Sequence, residues 1–206
     1  MKKLTLFVLA LALTLCGCGR GEEDAIRSLQ QRWANMESLT TESELTVHIG
    51  GGSRSFTVVT TCDAEGATTT ITAPEELSGL SATVTGEQLL LRYEGAAVSA
   101  GVPSVLSPAA CVPYLVRSVA EGYLLEYGSE TIDGLDCLRC AFDTTTPDGS
   151  RILCTVWLER ESGVPCYTEF STDGVVVLTI RTLSFDMKEK EEGSNGIHTE
   201  ENMGGN

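Results

Sequence analysis

The chain has 206 residues, with 29 Asp and Glu against 14 Lys and Arg and two histidines, a formal charge of −15. That balance excludes recognition of DNA, RNA or an anionic membrane surface by charge alone. The length suits one domain with a sizeable core.

The chain opens MKKLTLFVLALALTLCGCGRGEED. Lys2 and Lys3 precede an uncharged run from Leu4 to Leu15, shorter than the roughly twenty apolar residues a bilayer span needs. Such a run suits the central part of a removable export signal. Leu15-Cys16-Gly17-Cys18 resembles the bacterial lipobox, and the resemblance implies cleavage after Gly17 with the lipid on Cys18. The frame Leu13-Thr14-Leu15-Cys16 fits less well, because it puts a bulky Leu at the cleavage site. Ordinary secretion and a retained anchor are the alternatives. A metal site at the Cys16 and Cys18 pair needs further thiolate or imidazole ligands, and none is close in sequence. Residues 1–17 are therefore expected to leave as a lipoprotein signal. Loss of Lys2 and Lys3 shifts the charge from −15 to −17.

Residues 18–24 are expected to form a lipidated polar tether. Ile26, Leu29, Trp33 and Met36 then recur three and four apart, which predicts an amphipathic helix over about 22–39. From residue 42 the period falls to two. Leu45, Val47 and Ile49 alternate with Glu44, Thr46 and His48 in a half-buried strand. Gly50-Gly51-Gly52-Ser53 turns into a strand over 54–62, and Asp63–Gly66 into one over 67–73. A turn or single helical turn occupies 73–80, and strands follow at 81–85, 88–93 and 96–99. Pro113 reads as the first residue of a second helix, with Leu115, Val116 and Val119 apolar, Gly122 as the stop and Cys111 before it.

Strands at 123–127 and 136–142 flank the Asp133-Gly134 turn. Asp148-Gly149 is a hairpin turn signal before 151–159. Further strands are expected at 165–171 and 175–185, followed by a disordered acidic tail over 188–206. The domain proper is expected over 25–187. Nine to eleven strands with two helices make a mainly β, α+β chain. A strongly curved antiparallel sheet, helices closing its concave side, accommodates both helices better than an immunoglobulin-like sandwich does.

Six cysteines besides Cys16 and Cys18 remain: Cys62, Cys111, Cys137, Cys140, Cys154 and Cys166. In an exported domain an even number predicts one or two disulfides, with fifteen pairings open. Cys137-Leu138-Arg139-Cys140 has CxxC spacing but lies in a predicted strand, where residues three apart face opposite ways. A redox pair wants a helix N-terminus instead. Cys140 shares a face with Leu138 and Phe142, as a buried thiol would.

Candidate chemistry is sparse. His48 alternates outward on a strand, and His198 falls in the tail. Asp133, Asp136 and Asp173 read as turn formers. No catalytic residue, metal ligand or cofactor site is predicted.

The helix ending Trp33-Ala-Asn-Met-Glu-Ser-Leu39, the β-meander with Ile71-Thr-Ala-Pro-Glu-Glu-Leu-Ser-Gly-Leu80, and the run Trp157-Leu-Glu-Arg-Glu-Ser-Gly-Val-Pro165 carry a resemblance. Together they resemble the LolA/LolB-like superfamily of lipoprotein carriers, including lipoproteins of Gram-positive spore formers related to the germination lipoprotein GerS. The likeness spans about residues 22–187. It implies an open half-barrel with helices over an apolar concavity that holds a lipid or lipoprotein acyl chain, a site that works by apolar area at about 25 cal/mol per Å². Ile26, Leu29, Trp33, Leu115 and Val119 are the expected lining. An own anchor at Cys18 and six body cysteines depart from a soluble carrier. The alternative is a non-catalytic interaction or scaffolding protein with a partner in the cell envelope. Both readings place the domain on the extracytoplasmic face of the membrane, attached through the lipid (a palmitate-type acyl group), and neither involves nucleic acid.

Overall fold

The computed structural model describes residues 19–86, 88–101, 107–145 and 151–190. The expected signal, Cys18, the Asp148-Gly149 turn and residues 191–206 of the expected tail lie outside them. The chain forms α1 (Gly19–Ala34), β1 (Met36–Ile49), β2 (Gly52–Cys62), β3 (Ala67–Ala73), a 3-10 turn (Glu75–Leu77), β4 (Ser81–Thr85), β5 (Gln88–Tyr93) and β6 (Ala96–Ser99). Then come α2 (Cys111–Glu121), β7 (Tyr123–Ile132), β8 (Leu135–Thr145), β9 (Arg151–Glu159), β10 (Pro165–Thr172) and β11 (Val175–Glu189).

All neighbouring strands are antiparallel, in the order β6-β5-β4-β3-β2-β1-β11-β10-β9-β8-β7. Two sequential meanders, β1 to β6 and β7 to β11, are thus joined by one non-sequential pairing. It runs from Met36↔Glu189 to Val47↔Leu178, with register shifts at Met36/Ser38 and Glu42/Ser43.

Alternation sorts the faces. Val58 on β2, Leu138, Cys140 and Phe142 on β8, Ile152, Cys154, Val156 and Leu158 on β9, Phe170 on β10, and Leu178 and Ile180 on β11 are all buried. They join Ile26 and Trp33 of α1 and Leu115 and Val119 of α2 in one core cluster. The opposite face carries threonines and charges, as an antiparallel sheet with one wet side should. The pair Thr68–Thr83, hydroxyls 3.1 Å apart, is an example.

The expected strongly curved half-barrel is not what forms. Among the described residues, eleven antiparallel strands and two helices match the mainly β expectation, but the sheet is open, neither strongly curled nor closed, and its terminal strands β6 and β7 do not meet. Closing a sheet requires the two edge strands to approach in a fixed stagger. Here the edges end two meanders that grow in opposite directions from β1 and β11, and no strand pairing among the described residues draws them together.

Element boundaries also move. Helix α1 already includes residues 19–24 and stops at Ala34, so Met36 and Leu39 belong to β1. The helical spacing of those two residues is overridden by pairing with the end of β11, which continues through Lys188 and Glu189. Lys190 N–H donates to Asn35 O at 2.9 Å. Cys111 opens α2 rather than preceding it, with Pro113 inside the first turn. There its missing N–H is one that has no helical partner anyway.

The six described cysteines are all free, against the expected one or two disulfides. The Sγ atoms of Cys137 and Cys166 are 3.6 Å apart, well beyond the 2.03–2.05 Å of a bond, and β9 runs between their strands. Burial pushes Cys62, Cys111, Cys140 and Cys154 up to about 12. Desolvation favours the neutral thiol in each.

Helix α1 is pinned at several points. Trp33 stacks on Phe185 with ring centroids 5.6 Å apart. Arg32 pairs with Glu189 at 3.0 Å. Near the helix start, Arg160 meets Glu22 at 3.5 Å and Asp136 at 3.1 Å. The turn between β9 and β10 tucks beneath the helix at Gly163, whose φ is +71°. A Cβ added there would lie 2.5 Å from Leu29 Cδ2. Replacing Gly163 by Val is expected to destabilise the domain by about 3 kcal/mol, from left-handed strain and overpacking together. A lowered urea midpoint with an unchanged slope would be the readout.

The neutral thiols set a second expectation. An unfolded thiol ionises near pH 9, whereas the folded ones hold their protons to about pH 12. Between those values the unfolded state binds fewer protons, so stability falls as pH rises. Each thiol contributes up to about 1.4 kcal/mol per pH unit. Urea midpoints should hold from pH 7 to 8.5 and drop steeply by pH 10, with a shallower drop in Cys154→Ala.

Candidate functional site

The five residues expected to line a cavity come together in space, but in packed core. Ile26, Trp33, Leu115 and Val119 are buried, and Leu29 packs half-buried against the same cluster. Two hydrogen bonds lock the helices side by side. The Gln30 amide donates to Val119 O at 3.1 Å and to Gly122 O at 3.2 Å, at the end of α2. On the strand side, Tyr114 Oη lies 2.8 Å from Thr144 Oγ1, and Tyr114 packs on Phe170 at 5.8 Å.

The opposite flank of α2 is open. The buried apolar residues form two clusters: the main core, and a smaller one of Ala82, Leu89 and Ala109 with Val84 and Leu91 against it. At the seam lies a cleft of about 220 Å³, lined on the helix side by Pro113 and Val116 and on the sheet side by Met36, Cys62, Ala67 and Val84. Asp63 sits at its rim among the lining residues. Cys62 is pushed up to about 12, first by burial and then by Asp63. This thiol therefore stays neutral, and the cleft floor stays apolar. One hydrogen bond, from Thr69 Oγ1 to Ala109 O at 3.3 Å, ties β3 to the segment before α2.

These lining residues come from strands β1 to β4 and from α2, so no local spacing marks them. Pro113 and Val116 share a helical face three residues apart, and that was the single readable hint.

A second concavity lies on the outer face. There the tip of the β7–β8 hairpin bends over the β9–β10 turn, and Asp133 pairs with Arg181 of β11. About 280 Å³ lies beneath, lined in part by Leu135, Val164, Cys166 and Leu183. About 320 Å³ lies on the other side of the pair, beside Tyr167 and Thr179. Inboard of the hairpin, Trp157 packs on Tyr167 at 5.4 Å and donates its indole N–H to Glu130 at 2.8 Å. The Arg139 guanidinium sits 5.7 Å from the Trp157 ring centroid. These contacts explain why β9 carries apolar residues on both faces: on the outer face, side chains of neighbouring strands cover Trp157.

His48 is exposed on β1, as its alternation predicts. Asp133 and Asp173 have φ of +51° and make turns, while Asp136 pairs with Arg160. Among the described residues, no three His, Cys, Asp or Glu side chains are grouped to hold a metal ion. No described helix is long and apolar enough to cross a membrane.

No family profile and no curated protein matches the chain. Solved structures do match in shape. An uncharacterized conserved protein from Thermus thermophilus superposes with a TM-score of 0.50 at 9% identity, over 83% of this chain and 90% of that one. A LolA superfamily protein from Nitrosomonas europaea gives 0.44 at 10%, over 80% and 94%. A chain in the structure of the CwlD amidase in complex with the GerS lipoprotein from Clostridioides difficile gives 0.43 at 15%, over 81% and 95%. At these identities the likeness is one of fold. No individual relative, GerS included, is singled out.

Proposed function

We propose that this chain is a non-catalytic binding module of the cell envelope, anchored through a lipid on Cys18, that takes an apolar chain into the cleft between α2 and strands β2 to β4. The observation that carries this reading is the seam itself. The apolar interior divides in two, and the division opens to the surface as a cleft walled by Met36, Cys62, Ala67, Val84, Pro113 and Val116. An apolar opening between otherwise packed elements is where an acyl chain gains burial without displacing a hydrogen bond.

The magnitude is modest. A cleft of about 220 Å³ takes part of a long chain. About six methylenes at roughly 0.8 kcal/mol each supply about 5 kcal/mol, a dissociation constant near 0.2 mM, by order of magnitude. Tighter binding requires α2 to shift outward. A chain entering further would then meet Leu115 and Val119 on the buried side of the helix, and beyond them Ile26, Leu29 and Trp33 of α1. Those five residues are the inner wall in this reading, and Val116 is the gate.

A dansyl-labelled undecanoic acid is the probe. Its fluorescence should rise saturably with added protein and be displaced by palmitate. Val116→Trp, which fills the mouth, should weaken binding tenfold or more, and so should Val84→Phe from the opposite wall. Unaltered affinity in both variants, with unfolding midpoints like the parent's, would remove the cleft as the site.

A further inference from the structure

The open sheet has two edges, and they differ. Strand β6 is four residues long, Ala96–Ser99, and ends one arm of the sheet. At ten residues, β7 is the longer edge and ends the other. Natural edge strands are blunted by shortness, by Lys or Pro, or by bulges that turn the strand away. The sequence of β7, YLLEYGSETI, contains neither Lys nor Pro. Its single irregularity is at Leu124/Glu126, and the ladder from Gly128↔Arg139 to Ile132↔Leu135 is regular. In an antiparallel pair, alternate residues spend their N–H and C=O groups on the neighbour and the others direct theirs away. Along Gly128–Ile132 those outward groups face no strand among the described residues.

Side chains along this edge state what chemistry fits. On the outer face, Tyr123 is 74% and Leu125 54% exposed beside the bulge. Beyond them, Glu126 and Glu130 flank one cation, Arg139. Two half-exposed carboxylates with one guanidinium between them leave a net negative charge on the edge. Glu22 of α1 adds another on the core side, where it accepts a hydrogen bond from Ser129 at 3.1 Å. Arg160 is shared there between Glu22 and Asp136.

A second copy of this chain suits the edge poorly. A two-fold antiparallel register centred on Gly128 puts Glu126 opposite Glu130 of the other copy, and like charges directly opposed are destabilising. Both copies also carry a charge of −15.

We propose that the β7 edge binds an extended, basic segment of a partner protein as a twelfth antiparallel strand. Its backbone pairs with Gly128–Ile132, its alternate Lys or Arg side chains face Glu126 and Glu130, and an apolar residue covers Tyr123 and Leu125. Main-chain bonds supply affinity in such strand addition, and the alternating side chains supply selectivity. This surface is separate from the cleft beneath α2, and neither proposal needs the other.

The test uses the chain with residues 1–17 removed and Cys18 replaced by Ser, and three capped nonapeptides. One alternates Lys and Val, one alternates Glu and Val, and one is the Lys–Val peptide N-methylated at every second peptide nitrogen. Binding is followed by fluorescence anisotropy, and its location by amide hydrogen exchange. The Lys–Val peptide should bind saturably and slow exchange within 128–132. The Glu–Val and N-methylated peptides should bind at least tenfold more weakly. Changing Glu126 and Glu130 together to Gln, which keeps their hydrogen-bonding shape, should weaken binding at least fivefold. Glu76→Lys on the distant 3-10 turn changes the net charge as much and should alter it less than twofold.

Equal binding of the N-methylated peptide would overturn the proposal, because charge alone would then account for it. Unchanged exchange at 128–132 in the presence of bound peptide would do the same. So would protection of these amides in the protein alone, whether by self-association seen in sedimentation or by the chain's own residues.

Discussion

The pairing of β1 with β11 is the contact on which the rest of the molecule depends. It joins residues more than 130 positions apart, from Met36↔Glu189 to Val47↔Leu178, and every other strand pair is a sequential neighbour. Without it there would be two meanders, each with a bare apolar face. It also decides where α1 goes. The paired ends hold Asn35 against Lys190, so the helix ends at Ala34 and packs back over the β7–β11 half. Trp33 then meets Phe185, Arg32 meets Glu189, and Leu29 closes on Gly163. Closing so long a loop is entropically expensive but grows only slowly with length, and two strands of 14 and 15 residues return a long ladder for it.

With α1 over the β7–β11 half of the sheet, α2 packs on β8 and β10 beside it and does not fill the space over the β2–β4 arm. Gln30 draws the end of α2 toward α1, while Tyr114 and Phe170 anchor its inner side. Its Pro113 and Val116 flank faces the β2–β4 arm across a gap. The division of the core into two clusters therefore follows from helix placement. Four thiols with pKa values raised by burial keep the interior uncharged, which lets an apolar cleft sit beside it with little polar interruption. The same openness leaves the outer side of β7 without a strand among the described residues. Cleft and edge are two consequences of a sheet with more strands than its helices cover.

Strand positions were readable because alternation and turn residues are local signals. Leu45 and Val47 against Glu44 and His48, Asp133-Gly134 and Asp173-Gly174 each act within a few residues. Boundaries failed where a distant partner outvoted a local pattern. Met36 and Leu39 complete a helical stripe with Ile26, Leu29 and Trp33, yet pairing with the tail of β11 makes them strand. Strong curvature was inferred from two helices needing cover, but curvature depends on how the edges meet, which no segment encodes. Disulfides were expected from an even count of cysteines. Their strands and facing decide pairing, and those leave all six described thiols free.

What the sequence by itself determined is the local grammar: an acidic chain, the succession of helix, strands, helix and strands, and which residues along each strand are apolar. Tertiary structure alone decided which apolar residues are sealed and which border open space. Leu115 and Val116 are adjacent and chemically alike. One lies deep in the core and the other at the mouth of a cleft, because burial depends on what the opposite wall brings to each. Met36, Cys62, Ala67 and Val84 come from four strands, and only the stacking of the sheet aligns them. An apolar site gains its affinity from summed area rather than from any particular atom, so it leaves no motif to read.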